Sequence, residues 1–510
     1  MFMQALKIFL RFQKKVVEKM SKVKLSESTG SQRTRYSVTE NDLVTLLLTR
    51  RSISNKGLTT VDKDGNPTLL PYSTIYELSA KFCAGLQLAG LKPGDKLLLQ
   101  VIDPQEVLIS FWGSILAGVI PVPLNTALSY KKSNSQAEKV AFAFTQFSCK
   151  GVLSSSRLTV PIQGLFKSKG LPEKVVLDFD ICVAESRPPT IHTASPDDVA
   201  AMFLTSGSTG ASKGVPQTHA AMLAMVDATI QVNGFSSEDV TLNWMSLDHA
   251  GSLVFLGVMP LALGCEQVHV PIEYVLKNPV RWLDLIDKYR ASISWAPNFV
   301  FSLYLDRQEL LAGRSWDLSC MRFMVNAGEA IVSSTIRKFI SLLTTFGLPP
   351  KAMRPAFGMV ETCSGITWSA GFQLAETSDD DLFVDLGPVI PGAAMKIVAS
   401  DGQTVEEGQE GRLLLSGPSV FAGYQGEDEL NATLISGGWF ETGDLAYIIH
   451  DHLYITGREK DIVIINGNNF YCHDIEAEIS KSPDVIGDSV AVTGIRRQGE
   501  NTESLAVFYS

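Results

Sequence analysis

A chain of 510 residues outruns a single ordinary hydrophobic core, so two or more structural units are expected. Its 45% apolar against 19% charged residues argues against a disordered polymer, and a net charge of −10 argues against general nucleic-acid binding, leaving room for a local basic pocket for a nucleotide. Seven cysteines, odd in number and never spaced as C-x-x-C, suit a reducing, cytoplasmic setting without disulfides or zinc, and no apolar run reaches the roughly 20 residues that span a bilayer, so the sequence reads as a soluble protein.

In residues 1–24, Glu18 is the lone acid among Lys7, Arg11, Lys14, Lys15, Lys19, Lys22 and Lys24. Phe2, Leu6, Phe9, Leu10, Val16, Val17 and Met20 recur at helical spacing, which predicts a basic amphipathic helix. It reads either as a membrane-surface or targeting segment, or as a docking or linker helix, or as residues upstream of the true start. Ser26–Ser37, rich in Ser, Thr and Gly, reads as a linker, so 1–38 form a leading appendage. From Thr39 the rhythm is α/β. A helix over Tyr76–Leu88, a Gly/Pro turn and a strand over Lys96–Val101 are followed by a helix over Val107–Ala117 and a short buried strand ending at Pro123. The same alternation returns in Val199–Leu204, Ala220–Val232, Pro279–Tyr289, Ile293–Trp295 and Arg322–Val325. It predicts mostly parallel sheets with helices packed outside, in a large domain over 39–457. Near Val384 the texture shifts to short strands broken by glycines (Ala394–Ala399, Gly411–Ser416, Leu453–Thr456), a β-rich subdomain over about 384–457. Residues 458–510 then read as a hinge and the start of a small α+β C-terminal domain. With 50 residues after Lys460 (510 − 460), that domain is expected to be cut short.

The strongest local signal is Phe203-Leu204-Thr205-Ser206-Gly207-Ser208-Thr209-Gly210-Ala211-Ser212-Lys213-Gly214. A strand runs into glycines that let backbone N–H groups approach phosphate oxygens, hydroxyls that add donors, and one lysine that adds a point charge. A helix is expected to follow near His219. A Walker loop is disfavoured, because it needs Gly-Lys-Ser/Thr in succession and Lys213 lies between Ser212 and Gly214.

Thr205–Gly214 resembles the signature loop of the adenylate-forming superfamily: acyl-CoA synthetases, luciferases, fatty-acyl-AMP ligases and the adenylation domains of nonribosomal peptide synthetases. The resemblance extends in order through Ala117–Pro123, Asn326–Ala330, Phe357–Thr362, Gly438–Leu445 and Gly457–Asp461. It implies that ATP and Mg²⁺ convert a carboxylic acid to an acyl-AMP and pyrophosphate. Thr205, Ser206 and Lys213 would then hold the β/γ-phosphates within the cradle of Gly207, Ser208, Thr209 and Gly210. Glu361 would carry the magnesium and Phe357 would stack on adenine, with Gly328, Glu329 and Gly358 bordering the nucleotide. Asp444 and Arg458 would reach the ribose, and the last domain would turn about Lys460 and Asp461. His249 would be the gate aromatic of the acid site.

Three departures from the family pattern carry consequences. Val360 stands where relatives have a threonine before the metal glutamate, which leaves the α-phosphate contact to Thr362 or to nothing. The family's adenylating lysine has no counterpart before Ser510, which implies slow chemistry in this form. Ala250 replaces the aspartate that pairs with an α-ammonium in amino-acid-activating domains; a buried ammonium without a counter-charge is costly, so a standard amino acid is disfavoured unless Asp248 takes that role. The stretch Ile462–Glu476 resembles fatty-acyl-AMP ligases and loading domains of assembly lines, with Ile464 where CoA users tend to place lysine. That implies transfer to the phosphopantetheine thiol of a carrier protein. Free CoA as acceptor, or a non-catalytic nucleotide-binding module, stay open as alternatives.

Overall fold

The computed structural model describes residues 24–34, 37–127, 129–130, 135–205, 212–459, 462–465, 468–479, 490–495 and 504–509. The expected amphipathic helix over 1–24 lies outside them, apart from Lys24. The chain folds into two compact units that differ from the expected divisions at 38 and 457. One comprises 30–393 and 417–436, the other 1–29, 394–416 and 437–510.

The larger unit is built on two sheets whose strands are largely buried. In the four-stranded sheet, Ile120–Pro123, Lys96–Gln100, Gly151–Ser154 and Val176–Asp178 lie side by side, all parallel. The eight-stranded sheet runs in parallel through Gly57–Val61, Glu266–His269, Val240–Asn243, Ile293–Ala296, Phe323–Asn326 and Met353–Gly358, with antiparallel edges at Pro67–Pro71 and Gly365–Trp368. Helices follow the strands as the sequence predicts. Pro104–Ala117 starts with Asp103 accepting from the Gln105 amide and stops at Gly118, whose φ of 68° suits the left-handed turn. Trp244, Trp282, Phe301, Tyr304 and Phe339 fill the core beside the larger sheet. The Trp282 indole N–H is satisfied there by the Ser294 hydroxyl at 2.9 Å.

The smaller unit carries an antiparallel sheet of Glu27–Thr29, Ala394–Val398, Gly411–Ser416, Trp439–Ile449 and His452–Arg458. Beyond it come the paired strands Ile462–Ile465 and Asn468–Tyr471, the helix Cys472–Ile479, and the pair Val490–Ile495 with Ser504–Tyr509. Of the β-rich stretch expected over about 384–457, residues 394–416 and 437–457 group with the C-terminal elements, and 384–393 and 417–436 with the larger unit. The Ser26–Ser37 linker reading needs correction. Glu27–Thr29 is a strand paired antiparallel with Ala394–Lys396, and the amides of Ser37 and Val38 donate to the fully buried carboxylate of Asp227. Backbone pairing, which composition does not report, holds a Ser/Thr-rich segment in place. All seven cysteines are free thiols, and no described helix is long and apolar enough to cross a membrane.

Candidate functional site

Val199–Thr205 does not run directly into a helix. It pairs antiparallel with a second strand, Lys213–Thr218, with Thr205 opposite Lys213. The two strands that flank the glycine- and hydroxyl-rich segment are thus paired with each other, and the pairing ends at the expected Thr205 and Lys213. Ser206, Gly207, Ser208, Thr209 and Gly210 lie outside the described residues. Thr218 then caps the helix His219–Asn233 by accepting from the Ala221 amide.

The Lys213–Thr218 strand is tied to the turn that presents Glu361. Gln217, fully buried, donates from Nε2 to the Val360 carbonyl at 2.6 Å and accepts the Cys363 thiol at 3.0 Å. Burial pushes that thiol well up its titration range, so it stays protonated and able to donate. The turn is a tight 3₁₀ element over Val360–Thr362 that leaves Glu361 only 5% exposed.

A second connection comes from the excursion 417–436. The Phe421 amide donates to the Glu361 carbonyl at 2.8 Å, and the Tyr424 hydroxyl donates to Glu361 Oε1 at 2.7 Å. Lys213 Nζ lies 5.1 Å from the centroid of the same Tyr424 ring, and the Gln425 amide donates to the Gly214 carbonyl at 2.9 Å. One tyrosine therefore touches both the lysine of the glycine-rich hairpin and the buried carboxylate, whose codons are far apart. Among the described residues no cluster of three or more His, Cys, Asp or Glu could hold a metal alone. A single buried carboxylate still fits Mg²⁺, which is usually bound by one or two carboxylates with substrate phosphates and water completing its shell.

The other expected residues fall into three groups. Thr362 does not suit an α-phosphate contact. Its hydroxyl bonds the Ser364 carbonyl at 2.7 Å and accepts the Met359 amide at 3.1 Å, fully buried, so it closes the turn. Phe357 and Gly358 end the strand leading to that turn, half-buried, with the Phe357 amide on the Thr367 hydroxyl. Gly328 has a φ of +98° in an exposed segment where Glu329 accepts the Phe299 amide at 2.6 Å.

On the acid side, His249 is exposed and Ala250 is buried at the start of a π-helical stretch, Gly251–Val258. Sequence reasoning missed Trp295. Its indole donates to the Ala327 carbonyl at 3.0 Å and sits where a Cβ on Gly251 would approach to 2.9 Å and one on Gly328 to 3.4 Å. It therefore joins the His249–Gly251 and Ala327–Glu329 segments. Its place at the carboxyl end of a parallel strand was the available signal. Asp248 lines a cavity of about 80 Å³ with Leu99, Val101 and Val270, its Oδ1 buried without a hydrogen-bond partner among the described residues.

In the smaller unit, Asp444 is 3% exposed and accepts Arg458 Nε at 3.0 Å, the two being register partners on adjacent strands. The two residues expected at the ribose are thus paired with each other. Lys460 and Asp461 lie outside the described residues.

The profile of a family described as AMP-binding enzyme matches residues 55–425. The solved structure of McyG A-PCP complexed with phenylalanyl-adenylate superposes with a TM-score of 0.89 at 39% identity, covering 95% of this chain and 75% of that one. The adenylation domain of a keto acid-selecting NRPS module, bound to keto acyl adenylate, gives a TM-score of 0.84 at 30% identity over 95% of this chain and 90% of that one. Nonribosomal peptide synthetase btyA from Aspergillus terreus is 33% identical over 446 residues, covering 82% of this chain and 46% of that protein. The chain spans about half the length of the curated relatives it matches.

Proposed function

Because this chain belongs to the AMP-binding enzyme family, we propose that it activates a carboxylic acid lacking an α-ammonium group and passes it to a carrier protein's phosphopantetheine thiol. In the activation step a carboxylate oxygen of the acid attacks the α-phosphorus of ATP. The α–β phosphoanhydride bond breaks, and pyrophosphate leaves with the electron pair. The observation that carries the reading is the meeting of Lys213 and Glu361 on Tyr424. Two anions must approach each other in this reaction, so opposed charge has to be in place before they do. Lys213 supplies a fixed cation at the base of the glycine-rich hairpin. Glu361 would hold Mg²⁺, which neutralises phosphate charge when bound. Asp444 and Arg458 remain our candidates for the ribose hydroxyls, and Lys460 for the hinge.

The acid class rests on Ala250 and Trp295. A buried methyl group offers no counter-charge to an ammonium, while Trp295, wedged against Gly251 and Gly328, makes a flat apolar wall. An α-keto or aryl acid suits such a wall. One structural relative holds a keto acyl adenylate, which has no α-ammonium, and another holds phenylalanyl-adenylate, which has one. Carrier-protein delivery draws on the A-PCP pairing of the McyG structure, with free CoA as the competing acceptor.

ATP–pyrophosphate exchange over α-keto, aryl, fatty and amino acids tests the activation step. Exchange is expected with keto or aryl acids and at least tenfold less with the matching amino acids. A flat response across all four classes would refute it. Supplying holo-carrier protein or CoA then separates the acceptors.

A further inference from the structure

Tyr424 has no part in the sequence-derived site, yet it touches both charged groups of the proposed ATP site. We propose that Tyr424 is the positioning residue of the magnesium–phosphate site, fixing the Glu361 carboxylate and resting Lys213 beside it before nucleotide arrives; this rests on the function proposed above. Tyr424 is 8% exposed and Glu361 5%. A buried carboxylate needs a donor, and an arginine or lysine in that place would neutralise the charge a metal requires. A tyrosine hydroxyl orients the group and brings no charge of its own. The hydrogen bond to Oε1 gives the carboxylate a fixed direction. The ring meanwhile holds the Lys213 ammonium through its π-face at 5.1 Å, an attraction weak enough to be given up to a phosphate.

Tyr424 is itself held on several sides. Its amide donates to Asn431 Oδ1 and its carbonyl accepts from Asn431 Nδ2, both at 2.8 Å. The Phe421 ring packs edge-on against it at 4.8 Å, and the next residue, Gln425, is bonded to Gly214. Such support keeps a first contact in the orientation its ligand needs.

The test is equilibrium binding of α,β-methylene-ATP to the 510-residue chain at varied Mg²⁺, with thermal melting of each variant. Tyr424→Phe keeps the ring and removes one charged hydrogen bond. It is expected to melt like the parent and to need about tenfold more Mg²⁺ for the same nucleotide affinity. In a Glu361→Gln background the same substitution should change the Mg²⁺ requirement no further. Asn431→Ala, which loosens the backbone of Tyr424 and touches neither charge, should shift the requirement in the same direction and serves if Tyr424→Phe melts early. A parent-like Mg²⁺ curve for both variants overturns the assignment, as does an equal shift with Glu361 already replaced. A parent chain that binds no nucleotide refutes the function proposed above and this inference with it. Parent binding with unshifted variants refutes this inference alone.

Discussion

Lys213 and Glu361 lie 148 positions apart (361 − 213) and share one aromatic ring, so removing either charge should act on the same step. Lys213→Met and Glu361→Gln are each expected to slow ATP–pyrophosphate exchange by roughly 10²–10³, the usual loss for one group stabilising developing charge. Glu361→Gln should also raise the Mg²⁺ requirement, and steady-state kinetics in both cofactors would show it. Gln217 is a separate matter. Gln217→Ala leaves the Val360 carbonyl without this donor inside the core and the Cys363 thiol with only the Ser419 carbonyl at 3.5 Å, which should cost about 1–3 kcal/mol in urea unfolding. The two charged residues were legible because each sits in a recognisable string. Tyr424 and Gln217 were not. Tyr424 lies 63 positions from the carboxylate it orients, and Gln217 lies 146 from the thiol it receives, so only the tertiary fold brings them to their tasks.

The parallel strands and their helices are the elements most readable in sequence, because burial leaves short β-branched and apolar runs alternating with helical spacing. The elements that were missed are those whose residues argue against their conformation. Lys213–Thr218 holds Gly214 and Pro216, both poor strand formers, and forms a strand by pairing with Val199–Thr205. Gly214 is there for space: a Cβ would come within 2.8 Å of the Phe147 ring and 3.0 Å of the Met202 sulfur. Gly214→Val is therefore expected to cost about 1–3 kcal/mol through overpacking and to displace Lys213. Chemical denaturation, together with weakened nucleotide binding at saturating Mg²⁺, would register both effects. Glu27–Thr29 was hidden for a different reason. A three-residue edge strand of Glu, Ser and Thr carries no apolar signature, and its identity comes from the partner strand at Ala394–Lys396.

For the whole molecule, two buried histidines set a lower limit on pH. Burial holds His219 and His269 each at about 4, against an ordinary value near 6.5. The hydrogen bonds agree: His219 Nδ1 accepts the Leu43 amide, and His269 Nδ1 faces the Asn243 amide nitrogen, so a proton there would set donor against donor. The unfolded chain gains these protons below about 6.5 and the folded chain only near 4. Their contribution is therefore complete above 6.5 and is lost as pH falls toward 4, with a slope approaching about two protons. Denaturation midpoints across that range should fall accordingly, and the His219→Gln, His269→Gln pair should flatten the curve. The interleaved division of the chain has an evolutionary and practical corollary. Four chain junctions (29/30, 393/394, 416/417 and 436/437) separate the units, and the short stretch between the last two carries Tyr424. No single scissor cut can therefore release the larger unit whole. A fragment severed at 393 would keep both charges and forfeit the aromatic ring between them, so inheritance, recombination or proteolysis has to treat residues 30–436 as one indivisible parcel.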